Sequence, residues 1–106
     1  MMFSFIETQS FSRLVQRYLT DENYAQLQDV LIQNPEAGTV IRGSGGVRKL
    51  RWAATGRGKR GGYRVIYFVR HSKGIFWMLT IYPKSETGSI AGHILKQIRE
   101  ELEDEW

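Results

Sequence analysis

The sequence GYRVIYFVRHSKGIFWMLTIYP, residues 62–83, decides the fold of this chain. Residues 62–69 place aromatic and β-branched side chains on both alternating faces, which predicts a central strand. Residues 71–74, His-Ser-Lys-Gly, predict a tight turn. A second strand with one wholly apolar face is then expected, ending at Pro83 because proline cannot donate to a ladder. The residues expected on that apolar face are Ile75, Trp77, Leu79 and Ile81. The two strands should pair as an antiparallel hairpin.

The register of this hairpin decides which side chains share a face. If Arg70 lies opposite Phe76, then Arg64 lies opposite Tyr82, and directly opposed residues lie on one face. A register one residue shorter pairs Arg64 with Ile81 instead and turns Tyr82 to the other face. We expect the first register, in which the Arg64 and Tyr82 side chains flank one space.

The chain before the hairpin predicts one more strand and two helices. Leu50 and Trp52 alternate with Lys49 and Arg51, which indicates a strand that begins near Val47. Apolar residues recur at helical spacing over residues 11–19 and again over residues 24–31, which predicts two antiparallel helices. Capping and proline rules give the expected N-cap of each helix and the end of the second helix. These are Thr8 or Ser10 for the first helix, Thr20 or Asp21 for the second, and a stop at Asn34-Pro35.

The two ends of the chain complete the predicted order β-α-α-β-β-β-α. A short first strand is expected over residues 3–6, and a closing helix capped by Thr87 or Ser89 is expected near the C-terminus. The apolar stripe of that helix is Ile90, Ile94, Leu95, Ile98 and Leu102. We therefore expect one α+β domain over residues 1–106, a small antiparallel β-sheet with two N-terminal helices and a C-terminal helix on one face.

Charge is distributed unevenly along the sequence. Residues 37–85 contain no Asp or Glu but hold eleven Lys and Arg, whereas five of the eleven acids lie in the last seven residues. A solvated surface selected only for solubility mixes both signs of charge. A concentration of cations on one part of a small domain more often binds a phosphate backbone.

Several kinds of chemistry are excluded or disfavoured. The chain has no cysteine, so disulfides and thiolate metal sites are excluded, and a reducing cytoplasm is the expected location. No apolar run approaches the roughly 20 residues of a membrane span. His71 and His93 are the only histidines, and each is expected at the surface rather than as a catalytic base. We expect neither a metal nor a cofactor.

Two segments combine glycine with cations. RGSGGVRK, residues 42–49, leads into one predicted strand, and TGRGKRGG, residues 55–62, leads out of it. Glycine lets a backbone approach a phosphate closely, and adjacent Arg and Lys neutralise the phosphate charge. A hairpin loop with solvated charges has the same composition, so these segments alone do not specify a function.

Three segments together resemble the RelE/ParE toxin superfamily, and within it the HigB-type toxins. They are GSGGVRKLRW at residues 43–52, GRGKRGGYRVIY at residues 56–67 and LTIYPKSE at residues 79–86. The resemblance spans the whole chain and agrees with the predicted order of elements. The departures are Arg57, where lysine is commoner, and Ser85, where asparagine is commoner.

The resemblance implies a ribosome-dependent endoribonuclease that cleaves translated mRNA in the A site by attack of a 2′-hydroxyl on the adjacent phosphate. It implies that Arg64 stabilises the transition-state phosphate and that Tyr82 stacks on a base or polarises the 2′-hydroxyl. Lys84 and Lys59 are then expected to bind phosphate or to transfer protons. Five further residues are expected to bind the mRNA or rRNA backbone. They are Arg48, Lys49, Arg51, Arg57 and Arg60.

Other interpretations of the same residues stay open. Tyr82 can be an ordinary core residue, and Arg64 can form a structural salt bridge with Glu7 or Glu86. The superfamily also includes ParE-type toxins that inhibit DNA gyrase, and a non-catalytic RNA-binding module needs similar cations and aromatics. For a toxin of this kind the expected partners are the ribosome, mRNA and a small antitoxin, usually one with a helix-turn-helix DNA-binding domain for the HigB type.

Overall fold

The computed structural model of the chain describes residues 2–53, 62–85, 95, 96, 98–100 and 102. Residues 95, 96, 98–100 and 102 are helical, and a short 3₁₀ turn, His71–Lys73, joins the last two strands. The strands are β1 (Ser4–Glu7), β2 (Thr39–Val40), β3 (Arg48–Trp52), β4 (Tyr63–Arg70) and β5 (Ile75–Pro83). The helices before them are α1 (Gln9–Tyr18) and α2 (Asp21–Gln33).

The strands form one five-stranded sheet in the order β1-β5-β4-β3-β2. This places β4 at the centre, as its apolar residues on both faces predicted. The α+β class with helices at both ends of the chain is confirmed, but the sheet is not wholly antiparallel, because β1 pairs with β5 in parallel. The direction of β1 relative to β5 depends on the path of the chain through the two helices. A four-residue apolar pattern holds no information about that path. The two-residue strand β2 was also not predicted.

The ends of the first two helices lie where capping rules place them. The Thr8 side chain accepts a hydrogen bond from the amide of Phe11 at 3.0 Å, and Thr20 accepts one from the amide of Asn23 at 3.1 Å. These bonds satisfy backbone donors that have no partner inside a helix. Helix α2 ends at Gln33 with Asn34 as its C-cap, immediately before Pro35.

Apolar residues are buried on both faces of the sheet. The first core lies between the sheet and helices α1 and α2. The second core lies on the opposite face and includes Leu95 from the C-terminal helical residues, with Ile98 and Leu102 packed against it. The expectation that all helices lie on one face is therefore wrong, since a strand that is apolar on both faces needs cover on both. Of the predicted closing helix, Thr87, Ser89, Ile90 and Ile94 lie outside the described residues.

The first core contains Phe11, Val15, Leu19, Leu27, Leu31, Val65, Tyr67, Val69, Phe76, Met78 and Ile81. The second core contains Val47, Ile66, Phe68, Trp77, Leu79 and Leu95.

A β-bulge interrupts the pairing of β4 with β5. Near the turn Arg70 pairs with Ile75, so the expected pairing of Arg70 with Phe76 is wrong. Tyr67 then pairs with Met78, but the next pair joins Ile66 to Thr80. Leu79 therefore has no partner on β4. Because one extra residue enters β5, the residues after it change faces. Ile81 lies in the first core and Leu79 in the second, so the predicted single apolar face of β5 is wrong beyond Leu79.

Candidate nucleic-acid interface

A row of three residues crosses the sheet at the end away from the His71–Lys73 turn. Arg51 of β3 lies opposite Arg64 of β4, and Arg64 lies opposite Tyr82 of β5. Directly opposed residues share a face, with Cβ atoms about 5 Å apart. Tyr82 packs against the second core, so all three residues lie on that face. We call Arg51, Arg64 and Tyr82 the cationic row.

Tyr82 is held at its inner side and is not fully enclosed. Its side chain packs against the second core, yet the residue is only half-buried. The interpretation of Tyr82 as an ordinary core residue thus explains the contact of its ring with the second core but not its partial exposure. A phenol ring that packs against the core on one side and is partly exposed on the other can stack on a nucleobase or donate a hydrogen bond.

Arg64 is half-buried near the start of the central strand β4, immediately before the five buried residues 65–69. Among the described residues, no carboxylate lies within salt-bridge distance of its guanidinium. One of the two acids considered as a partner, Glu7, instead accepts hydrogen bonds from Ser12 at 2.6 Å and from Tyr24 at 2.5 Å. The other, Glu86, lies outside the described residues. The charge of Arg64 therefore stands next to a second cation, Arg51, with Glu7 engaged elsewhere.

The electrostatics of the row favour an anion. Like charges directly opposite each other on neighbouring strands are destabilising, and Arg51 and Arg64 are such a pair. An anion between them removes this repulsion and accepts the forked hydrogen bonds that guanidinium groups form with phosphate. The same stretch of sequence, residues 37–85, contains no acidic residue to act as an internal counter-ion.

Two lysines extend the row along the same face. Lys49 lies opposite Ile66 of the second core, two residues from Arg51 along β3 in the direction of the His71–Lys73 turn. Past the end of β5, the amide of Lys84 donates to the carbonyl of Gly62 at 2.8 Å, so the register continues for one more step. Strand alternation puts Lys84 on the Tyr82 face, and it is exposed. Lys59, Arg57 and Arg60, which were predicted to contribute from the loop before β4, lie outside the described residues.

Arg48 lies away from the row. It pairs with Tyr67 across the ladder, on the face of the first core. Its guanidinium donates to the carbonyl of Gly38 at 2.7 Å and lies 4.0 Å from the carboxylate of Glu36. The structure thus gives Arg48 a tie to the connection between α2 and β2, on the opposite side of the sheet from Arg64.

Tyr67 fixes the same connection from inside the protein. Its buried hydroxyl accepts from the amide of Gly38 at 2.9 Å and donates to the carbonyl of Pro35 at 2.8 Å. Burial raises the pKa of Tyr67, while the Gly38 hydrogen bond opposes the rise. The protonated phenol is the form that can donate to Pro35, so the raised pKa and the geometry agree.

The first glycine segment forms a packed turn. Gly43, Gly45 and Gly46 have positive φ angles, which non-glycine residues rarely adopt. Within the turn the buried Ser44 hydroxyl donates to the carbonyl of Ile41 at 2.6 Å and accepts from the amide of Val47 at 3.0 Å. A Cβ atom at Gly45 would lie 3.1 Å from the side chain of Arg99. These contacts account for the glycines through turn geometry and packing, without a phosphate.

The histidines and acids form no metal site in the part of the chain that the structure describes, where no group of three possible ligands occurs. The His71 side chain is half exposed, with its Nε2 4.0 Å from a Glu36 carboxylate oxygen. His93 lies outside the described residues. None of the helices among the described residues has the length and apolar character needed to cross a membrane.

Comparison with known proteins identifies a family that this chain matches. The family model described as the RelE toxin of the RelE/RelB toxin–antitoxin system matches residues 5–103. The chain belongs to the RelE toxin family. This confirms the resemblance to the RelE/ParE superfamily, and the narrower likeness to HigB-type toxins stays a prediction.

Solved structures of RelE toxins share the fold. The chain is 21% identical to the toxin in the intact Escherichia coli RelB–RelE complex, with a TM-score of 0.54, covering 80% of this chain and 99% of that one. For the archaeal RelE–RelB complex from Pyrococcus horikoshii the identity is 17% and the TM-score 0.52, over 82% of this chain and 100% of that one. For the isolated Escherichia coli RelE toxin the values are 21% and 0.53, over 91% and 98%.

Two features of this RelE-family chain were not apparent in its sequence. Arg51 was expected only to contact an RNA backbone, but it lies directly beside Arg64. The alternation of Arg51 with Leu50 and Trp52 predicted that Arg51 lies on the polar face of its strand. It did not predict which residue of β4 lies opposite Arg51. The bulge at Leu79 was also missed, because the apolar alternation through residues 75–81 continues without interruption across it.

Proposed function

We propose that this RelE-family toxin is a ribosome-dependent endoribonuclease that cleaves translated mRNA in the A site. Family membership supports a toxin of a toxin–antitoxin pair. The observation that carries the proposal is the placement of Arg64 opposite Tyr82, with Arg51 beside them, in a stretch of sequence free of acidic residues. This arrangement joins an anion site to an aromatic ring on one face.

The proposed reaction asks little of the protein in proton-transfer groups. A 2′-hydroxyl of the message gives up its proton as its oxygen attacks the adjacent phosphorus. An O2′–P bond forms, the P–O5′ bond breaks, and the leaving 5′-oxygen takes up a proton, so no net proton is gained or lost. The nucleophile is already attached next to its target, which gives a large proximity advantage. The protein then has to orient the RNA and stabilise the negative charge of a phosphorane-like transition state.

The cationic row supplies both of these contributions. Arg64 binds the equatorial oxygens of the transition state through its guanidinium fork, and Arg51 contacts the same or the next phosphate. Tyr82 stacks on a base beside the scissile bond or polarises the 2′-hydroxyl. Lys84, with Lys59 from the preceding loop, binds phosphate or delivers the proton to the leaving oxygen.

The proposed partners follow from the same surface. A translating ribosome offers both the message and a dense phosphate surface, and such a target places the activity in the cytoplasm. Two of the related structures are complexes with RelB antitoxins, so we propose that this toxin also has an antitoxin, with a helix-turn-helix domain as expected for the HigB type. Copurification from the native operon should recover it, and a neighbouring gene product that neither binds nor restores growth would contradict this partner.

The test compares two charge deletions that differ in face. The wild type should arrest growth on expression and should cut mRNA only when ribosomes translate it. Arg64→Ala should lower the cleavage rate at least about 100-fold, as loss of a transition-state donor does. Arg17→Ala removes the same charge from the exposed end of α1, on the other side of the sheet, and should cleave at the wild-type rate.

The alternatives give different results in the same experiment. A ParE-type gyrase inhibitor would block DNA supercoiling and leave translation intact. A non-catalytic RNA-binding module would slow translation while leaving the message uncut. A folded Arg64→Ala protein with unchanged toxicity would contradict the proposed function.

A further inference from the structure

Thr8 joins α1 to β5 through hydrogen bonds of its hydroxyl and its amide. Its hydroxyl accepts from the amide of Phe11, which caps α1, and donates to the carbonyl of Leu79 at 2.8 Å. Its own amide donates to the carbonyl of Met78 at 3.1 Å. One hydroxyl has one proton to donate, and here that proton goes to Leu79, 71 residues away in sequence.

Leu79 is the residue at which the hairpin changes register. It has no partner on β4, and the ladders on its two sides are offset by one residue. On the turn side, continuation of the Arg70–Ile75 register would pair Arg64 with Ile81. The bulge shifts that pairing to Tyr82 and thereby turns the phenol to the Arg64 face.

The carbonyl of a bulged residue needs a fixed partner for the bulge to keep one geometry. Buried backbone acceptors without a partner are costly, and bulges next to active sites re-aim side chains. Thr8 supplies a donor at the bulge and is itself fixed by the first turn of α1. Ile81 also opposes a register slip, because it is fully buried in the first core and a slip by one residue would turn it to the opposite face.

We propose that Thr8 is a positioning residue that sets the orientation of Tyr82 through the Leu79 bulge. Thr8 does not touch the substrate in this scheme, since it lies on the opposite side of β5 from the β4 ladder and acts through the backbone. The inference rests on the proposed function for its consequence in catalysis. The physical part, that the Thr8 hydroxyl controls the Tyr82 ring, can be measured without a ribosome.

Three substitutions separate the two bonds of the hydroxyl. Thr8→Ser keeps both bonds. Thr8→Asp can still accept from Phe11 and cap α1 but, as a carboxylate, has no proton for the Leu79 carbonyl. Thr8→Val has the shape of threonine and loses both bonds. Comparing Thr8→Asp with Thr8→Val therefore distinguishes the bulge contact from the helix cap.

Two measurements are made on each variant. The first is the fluorine resonance of Tyr82 in protein labelled with 3-fluorotyrosine, assigned with Tyr82→Phe among the five tyrosines of the chain. The second is kcat and KM for cleavage on ribosomes programmed with a defined mRNA. Thr8→Val and Thr8→Asp should shift or broaden the Tyr82 resonance and lower kcat about tenfold with KM within about twofold, the size expected for one hydrogen bond. Thr8→Ser should match the wild type in both.

Contrary outcomes overturn the inference in recognisable ways. An unchanged Tyr82 resonance in a folded Thr8→Val protein removes the positioning role. Wild-type behaviour of Thr8→Asp assigns the hydroxyl to helix capping alone, and a raised KM with unchanged kcat assigns it to binding. If the wild type cuts no message, the proposed function fails, and the resonance alone then decides for or against control of Tyr82 by Thr8.

Discussion

Arg64 lies directly opposite Tyr82 on the antiparallel strands β4 and β5, although the register at the turn would pair Arg64 with Ile81. The bulge at Leu79 absorbs the difference. The pair therefore depends on a local irregularity in β5 and on the burial of the residues that flank it. The substitutions below test what the pair does and what holds the sheet around it.

The first prediction separates the hydroxyl of Tyr82 from its ring. Tyr82→Phe keeps the packing against the second core and the ability to stack, so a stacking role predicts a rate within about threefold of the wild type. Tyr82→Ala removes the stacking surface, a loss of about 1–3 kcal/mol in binding or activation free energy. The measurement is single-turnover cleavage on programmed ribosomes. A loss with Phe as large as the loss with Ala would assign the contribution to the hydroxyl.

The second prediction concerns the salt dependence of ribosome binding. The affinity should fall steeply as salt rises, by about 0.7–0.9 log units per log unit of salt for each phosphate contact. Arg51→Ala should lower this slope by about one. Arg48→Ala removes the same charge on the other face and should leave the slope unchanged. Binding of labelled toxin to ribosomes is measured between about 50 and 200 mM salt, and equal slopes for both variants would contradict the docking face.

The third prediction concerns stability. Tyr67→Phe removes the buried hydroxyl that joins Gly38 to Pro35. It leaves a donor and an acceptor without that partner, so the free energy of unfolding should fall by about 1–3 kcal/mol. Urea denaturation measures this change. The cleavage rate of the folded fraction should stay near the wild type, because Tyr67 lies in the first core and the cationic row lies on the opposite face.

The fourth prediction is a loss of stability at alkaline pH. Burial, followed by the hydrogen bond and the charge of Glu7, raises the pKa of Tyr24, and burial also raises the pKa of Tyr67. A group whose pKa is higher in the folded state stabilises the protein fully below its unfolded pKa, which is about 10 for tyrosine. Stability should therefore fall as pH rises above about 10.

Tyr24→Phe is the control for this pH dependence. The variant should be less sensitive to pH above about 10 than the wild type, since phenylalanine does not ionise. Thermal unfolding followed across that range provides the measurement. A wild-type stability that is flat, or that rises, above this pH would contradict the raised pKa values of Tyr24 and Tyr67 in the folded protein.

Much of this fold follows from local rules. Thr8 and Thr20 cap the helices, Asn34 ends α2, and the apolar run in β4 predicts its central place, because each outcome depends on a few adjacent residues. Features that depend on distant parts of the chain were not predicted. The parallel pairing of β1, the short strand β2 and the cover on the second face all arise from chain path and packing.

The candidate site was predicted in part for the same reason. The Arg64–Tyr82 pairing is confirmed, but the expected reason, a regular ladder from the turn, is wrong, because Leu79 and Ile81 are buried in opposite cores. Arg48 lies on the opposite face from Arg51 because side chains alternate along a strand and the two residues are three positions apart. The chemical roles of Arg64, Tyr82, Lys84 and Lys59 stay predictions.

The pairing of β1 with β5 sets the order in which the protein can be completed during its own synthesis. Of the strands in the described part of the chain, β1 is made first and pairs with β5, which is made last, and the Thr8–Leu79 contact spans 71 residues. Contacts between segments this distant close late, after the intervening chain is available. The sheet, and with it the face that carries Arg64 and Tyr82, is therefore completed only after β5, Ile75–Pro83, has left the ribosome that makes the toxin.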